Sequence, residues 1–335
     1  MKARPETKSI AALAKFQHAS PWRAQWQIIN SFAPYALLWY VMDKALGVSY
    51  WLMLPVAILA AGFLVRIFII FHDCGHGSFF KSRGANTATG VIAGLLNMTP
   101  YRHWRWQHAL HHGTSSDLDR RGSGDIWLLT VQEYLESPRT KRFAYRLARN
   151  PIVLFVIAPL YVFFIHHRVA SSKAPDPERR SVLWTNLALL GIVVLMSALI
   201  GLKAFLTIQL TITTFAGAAG VWLFYVQHQF EGAYWSRSAN WNYTAAATRG
   251  SSYYKLPKIL QWFTGNIGFH HVHHYCPRIP NYHLQRCHDA EPLFGGVKPV
   301  TLSSSLHSLT YRLWDERRQI YVGYRHALSG SRFAR

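Results

Sequence analysis

Residues 45–76 read Ala45-Leu-Gly-Val-Ser-Tyr-Trp-Leu-Met-Leu-Pro-Val-Ala-Ile-Leu-Ala-Ala-Gly-Phe-Leu-Val65, then Arg66-Ile-Phe-Ile-Ile-Phe-His72-Asp-Cys-Gly-His76. The part before Arg66 carries no charge and approaches the roughly 20 residues needed to cross a hydrocarbon core about 30 Å thick. Arg66 falls near the end of the stretch, where its side chain is expected to snorkel to the interface. The run then passes directly into two histidines at i and i+4, which share one helix face. A membrane span, 45–70, that ends in a pair of imidazoles sets the architecture.

Working outward, residues 24–42 are also uncharged, and Asp43-Lys44 reads as the turn of a helical hairpin. Downstream, 181–202 and 204–227 are separated by Lys203 alone and read as a second hairpin. Two shorter apolar stretches, 87–98 and 151–167, read as interfacial helices. If 151–167 crossed, Lys173, Arg179 and Arg180 would lie outside, against the positive-inside bias. Residues 1–23 carry Lys2, Arg4, Lys8, Lys15 and Arg23 against Glu6, with no apolar core of signal-peptide type. The expectation is an all-α integral membrane protein of one domain, 1–335. It has four transmembrane helices in two hairpins, interfacial helices, and a helical cytosolic cap that carries the histidines. Both termini lie inside.

Composition agrees with that expectation. Only 15% of the 335 residues are charged, well under an average soluble domain, while aromatic residues reach another 15%. The 36 basic against 15 acidic side chains imply an anionic neighbour. A cap lying on phospholipid headgroups needs those Lys and Arg as much as a nucleic-acid binder does, and the apolar spans favour the headgroups. Cys74, Cys276 and Cys287 are too few and scattered for a disulfide framework and read as packing residues. No internal repeat or low-complexity tract is visible.

Histidine is abundant, at 18 copies, and concentrated. Besides His72 and His76, the chain repeats helical spacing at His108-Ala-Leu-His111-His112 and at His270-His271-Val-His273-His274. Clustering the eight imidazoles at positions 72, 76, 108, 111, 112, 270, 273 and 274 without a purpose would leave polar groups short of partners near the bilayer, so metal coordination is the expected role. Imidazole suits zinc, copper, nickel and iron, and a count above the four of a tetrahedral site suggests two metals with open positions. His-Glu-x-x-His is absent, which argues against a zinc protease.

The residues resemble the integral-membrane fatty acid desaturases, the histidine-box di-iron group. The resemblance rests on the box spacings and on His72-Asp-Cys-Gly-His-Gly-Ser-Phe-Phe80, His112-Gly-Thr-Ser-Ser-Asp-Leu-Asp-Arg-Arg-Gly-Ser-Gly-Asp-Ile-Trp127 and Asn266-Ile-Gly-Phe-His-His-Val-His-His-Tyr-Cys-Pro-Arg-Ile-Pro-Asn-Tyr282. It covers almost the whole chain and points to the bacterial acyl-lipid, Δ12/ω6-type branch, hence to a multi-pass protein of the bacterial inner membrane. It implies two non-haem irons, O2 as co-substrate, a membrane lipid acyl chain as substrate and a cis double bond as product. It also implies a further ligand just after the last span, where His228 stands in Gln227-His228-Gln229-Phe230-Glu231. Some relatives place an Asn one turn earlier; here that position is Phe224, and Asn266, Gln227 or Glu231 would compensate. No His-Pro-Gly-Gly haem motif is present, so the electrons come from an external donor such as ferredoxin.

His271 is expected beside the ligands or as a substitute for one, and Asp73, Asp117 and Asp125 are candidates to orient ligand imidazoles. Trp104, Trp106, Trp127, Trp222, Tyr225 and Trp262 lie near the boxes in sequence and are candidate walls of an acyl tunnel, although aromatics also pack helices and sit at interfaces. His18, His103, His166, His167, His283, His288, His307 and His326 fall outside the boxes. The tail Leu328–Arg335 is expected to be dispensable. A di-iron hydroxylase or carotenoid ketolase would share such boxes, since the same carbon radical can gain oxygen instead of losing a second hydrogen. A metal transporter is the remote alternative, because its histidines would line the spans.

Overall fold

The computed structural model describes residues 12–122 and 124–326. Lys2, Arg4, Glu6, Lys8 and the tail 328–335 lie outside the described residues. The chain runs through α1 (Pro21–Val48), α2 (Tyr50–His76), α3 (Arg83–Leu96), α4 (Tyr101–Thr114), α5 (Val131–Glu136), α6 (Arg139–Ala148), a π-helical stretch Val153–Ile157 continuing into α7 (Ala158–Phe164), α8 (Asp176–Ile200) and α9 (Leu202–His228). Five short helices follow among the described residues, α10 (Tyr243–Arg249), α11 (Lys258–Phe263), α12 (His270–Tyr275), α13 (Asn281–Ala290) and α14 (Leu302–Ser305). Strand structure among the described residues is slight. Tyr253–Tyr254 pairs in parallel with Pro299–Val300, and Leu313–Asp315 pairs antiparallel with Ile320–Val322.

Both hairpin turns lie a few residues from where charge placed them. Helix α1 runs through Asp43-Lys44, whose side chains pair at 3.0 Å, and ends only at Val48. The turn is the single extended residue Ser49, whose hydroxyl accepts from Trp51 N and caps α2. A pair of opposite charges is compatible with a helix, whereas a capping hydroxyl starts a new one. The second hairpin breaks at Gly201, φ +85°, and Lys203 sits within α9. Only glycine adopts that backbone conformation without steric cost.

Among the described residues three helices, α2, α8 and α9, are long and apolar enough to cross a membrane, and Arg139–Ala148 with Val153–Arg168, bent by 65°, makes a fourth if the pair is one broken span. Helix α1, which contains the expected span 24–42, is not among them. Its 28 residues reach about 42 Å at 1.5 Å each, but Gln25, Gln27, Asn30 and Ser31 lower its apolarity. Two of these point inward. Gln27 Nε2 donates to Asn281 Oδ1 (2.6 Å), and Ser31 Oγ accepts from Arg66 Nε (3.1 Å). The outward face of α1 exposes Trp22, Trp26, Ile29, Leu37 and Tyr40.

Arg66 does not snorkel. It is buried, bonds the Trp262 carbonyl through Nη1, and lays its guanidinium 3.8 Å over the Trp262 ring. A donor satisfied inside has no need to reach water, and here it ties α1, α2 and α11 together. Around it α2 is the central helix. Its buried Ala57, Ala60 and Ala61 let neighbouring helices approach closely, in the manner of small residues at membrane helix contacts. The apolar stretch of α8 by contrast buries none of its residues.

Candidate metal centre

Each box is carried by a helix end or a short helix. His72 and His76 form the last turn of α2, which Gly77 terminates at φ +67°. His108, His111 and His112 lie on α4, His228 is the last residue of α9, and α12 begins at His270. The six residues of α12 are buried throughout: Val272 and Tyr275 pack into an apolar cluster while Tyr243 Oη donates to the His274 carbonyl (2.9 Å), so the helix is pinned from both sides.

All nine histidines converge, and they divide. His72, His76, His108, His112 and His273 form one group, and His111, His228 and His274 a second; in each, one ligand atom per residue lies within 4.8 Å of the others. His270 joins the second group through a 3.1 Å Nε2–Nε2 contact with His228. The same 3.1 Å separates His112 Nε2 from His108 Nε2 and from His273 Nε2. Two nitrogens each about 2.1 Å from one ion stand about 3 Å apart, so these spacings are those of ligands sharing a metal.

The electrostatics favour a cation. Burial first, then neighbouring imidazoles, hold His108, His112, His270, His273 and His274 well below the ordinary histidine range. They are therefore neutral near pH 7 and each keeps a lone pair. His72 Nδ1 faces Asp73 Oδ1 at 3.3 Å and His111 Nδ1 faces Asp125 Oδ1 at 2.9 Å, which fixes those tautomers and frees Nε2. Nε2 of His72, His76, His111 and His274 is buried without any hydrogen-bond partner. Leaving four such acceptors unsatisfied costs about 1–3 kcal/mol each, and a metal ion removes that cost.

The sequence comparisons agree with this geometry. The family model described as fatty acid desaturase matches residues 49–298. A fatty acid desaturase of Bacillus subtilis (strain 168) is 46% identical over 324 residues, 97% of this chain and 91% of that protein. The chain belongs to the fatty acid desaturase family. More distant relatives are the sn-1 oleoyl-lipid 12-desaturase of Synechocystis, 26% identical over 72% of this chain and 70% of that protein. The sn-1 acyl-lipid omega-3 desaturase (ferredoxin) of Nostoc is 27% identical over 79% and 72%. The desaturase is thus an oxidoreductase that uses O2 to introduce double bonds into fatty acyl chains.

Other candidate residues of the desaturase are placed elsewhere. His271 points away from the nine and bonds His288 Nδ1 through Nε2 at 3.0 Å. The Asp117 carboxylate is taken by Arg120 Nε (2.6 Å) and Ser238 Oγ (2.9 Å), not by an imidazole. Asn266 bonds Gln261 and the Asn281 carbonyl, and Gln227 Nε2 donates to the Ile267 carbonyl. Phe224 packs against His111 and His228 with centroids 5.4 and 4.9 Å away. Among the aromatics, Trp104 stacks on His108 at 4.4 Å. Trp106 lies beside His103, Trp127 against Tyr145, Trp222 donates to Tyr254 Oη, Tyr225 Oη donates to the Ser308 carbonyl, and Trp262 covers Arg66.

Two supports of the desaturase escaped the sequence reading. Asp73 Oδ2 accepts from Asn281 N (2.6 Å) and Nδ2 (2.8 Å), and Asn281 in turn bonds Gln27. A glutamine inside an apolar span was the available signal, because such a residue must find an internal partner. Arg149 is buried and donates through Nη2 to Tyr225 Oη, Gln229 Oε1 and the Tyr311 carbonyl. It thereby grips the residues on either side of His228, and Tyr321 Oη donates to the His228 carbonyl itself at 3.0 Å.

Two substitutions in the desaturase test this arrangement. Asp125→Asn frees the His111 ring to turn, and iron affinity or turnover should fall about 10–100-fold; unchanged metal content and rate would contradict the orienting role. A Cβ at Gly75 would meet Trp104 Cζ3 at 2.9 Å. Gly75→Ala should therefore push Trp104 off His108, costing about 1–3 kcal/mol of stability, read as a lowered melting temperature with altered tryptophan fluorescence.

Proposed function

We propose that the nine histidines hold two iron ions and that the protein desaturates the acyl chain of a membrane glycerolipid to give a cis double bond, with electrons from a ferredoxin-type donor. The observation that carries this reading is the division of the histidines into two adjoining groups. Bound iron would supply the O2 chemistry, for which no side chain is a strong enough oxidant. The neutral imidazoles His72, His76, His108, His112 and His273 would hold one ion. His111, His228, His270 and His274 would hold the other. Asp73 and Asp125 keep His72 and His111 in the tautomer whose Nε2 faces inward. Burial of His72, His111, His228, His270, His273 and His274 keeps bulk water from that part of the centre, and Trp104 with Phe224 gives it apolar walls against which an acyl methylene can be held.

In this reading α1, α2, α8 and α9 cross the membrane and the bent segment 139–168 lies in the interface, so that both termini and all histidines share the cytoplasmic side of a bacterial inner membrane. The relatives named for acyl-lipid substrates and for ferredoxin support the substrate class and the donor. The test is the fatty acid profile of a heterologous host supplying a ferredoxin system. A new cis-unsaturated acyl chain that disappears with His111→Ala is the expected result. An oxygenated chain, or an unchanged profile with verified expression, would move the reaction to hydroxylation or to a carotenoid-type substrate.

A further inference from the structure

Apart from the histidine centre, a cavity of about 540 Å³ opens between Arg168 and the first turns of α8, with Asp176, Arg179, Arg180 and Asn186 in its walls. It shares no residue with the nine histidines. Three arginines and one aspartate line it. Arg168 is fixed: Nη1 donates to Asn186 Oδ1 (2.9 Å), Nη2 bonds the Met98 carbonyl, and its buried Nε has no partner. Arg179 and Arg180 are exposed, with no side-chain hydrogen bond or ion pair among the described residues. A held guanidinium beside two uncommitted ones suits a phosphate monoanion, which accepts several N–H donors at once.

A second feature selects the source of that phosphate. Leu183 lines the cavity, and below it Leu187, Leu190 and Val194 continue at helical spacing along α8, each 49–63% exposed. An aliphatic stripe thus leads from the arginines along a helix apolar enough to span. A soluble phosphate ester would leave this stripe bare, whereas a phospholipid covers both parts. We propose that this is a binding site for an anionic phospholipid, with its phosphate among Arg168, Arg179 and Arg180 and one acyl chain against Leu183, Leu187, Leu190 and Val194. The inference rests on α8 being a membrane span.

The test is native mass spectrometry of the full chain in mild detergent, titrated with phosphatidylglycerol, with phosphatidylcholine of the same acyl chains, and with glycerol 3-phosphate. Phosphatidylglycerol should bind more tightly than phosphatidylcholine, and Arg179→Gln and Arg180→Gln should each reduce that preference about fivefold, with melting unchanged. Equal binding of the two lipids, or a preference that survives the double substitution, overturns the proposal. Binding of glycerol 3-phosphate as tight as that of the lipid also overturns it, in favour of a soluble ligand. Retention of neither lipid would count instead against the membrane placement of α8.

Discussion

His273→Ala should abolish desaturation and lower the iron content of the purified protein. His273, on α12, meets two other helices, α2 and α4: its ring centroid is 4.4 Å from that of His72 and 4.8 Å from those of His76 and His112, and its Nε2 is 3.1 Å from His112 Nε2. Removing the metal ligand proposed here should exceed the roughly 10–100-fold loss typical of the groups that orient ligands. The remaining four imidazoles of that group would then keep a lone pair facing a cavity. Metal analysis with a parallel activity assay checks this, and full activity with unchanged iron would remove His273 from the ligand set. His271→Ala is the internal control: it removes an adjacent imidazole whose partner is His288, and it should leave the iron content alone.

Arg149→Met should be the most destabilising change outside the histidines. It withdraws a donor from the buried Gln229 Oε1 and Tyr225 Oη and from the partly buried Tyr311 carbonyl. The Tyr311 carbonyl still accepts from Tyr225 Oη at 3.2 Å, so two groups are left short of a donor, and at about 1–3 kcal/mol each the loss is roughly 2–6 kcal/mol. The end of α9 should loosen with it, so iron should be lost first from the group containing His228. A melting temperature and iron content equal to those of the unsubstituted protein would contradict this role. Arg149→Lys keeps the charge but cannot reach several acceptors in one plane, and it should recover only part of the loss.

The boxes were legible because helical spacing places histidines i, i+3 and i+4 on one face whatever surrounds them, and the long uncharged runs marked α2, α8 and α9 for the same local reason. What was not legible depends on distant residues. Which imidazoles share a group cannot be read along the chain: His111 and His112 are neighbours in sequence yet fall in different groups, since successive helical residues point about 100° apart. Asp117 and Asp125 looked alike, and only the position of Arg120 and Ser238 against that of His111 separates them. Arg66 looked like an interfacial cation until Ser31 and the Trp262 carbonyl supplied its partners.

The knot formed by Gln27, Asp73 and Asn281 has a consequence for how the protein comes into being. Its three members are 208 and 254 residues apart at the widest pairings, so the support beneath His72 is incomplete until nearly the whole chain has left the ribosome. Contacts of such sequence separation form late. Loading of a metal at these histidines would therefore follow synthesis of nearly the whole chain, and a chain stalled before α13 would lack Asn281 and with it the support beneath His72.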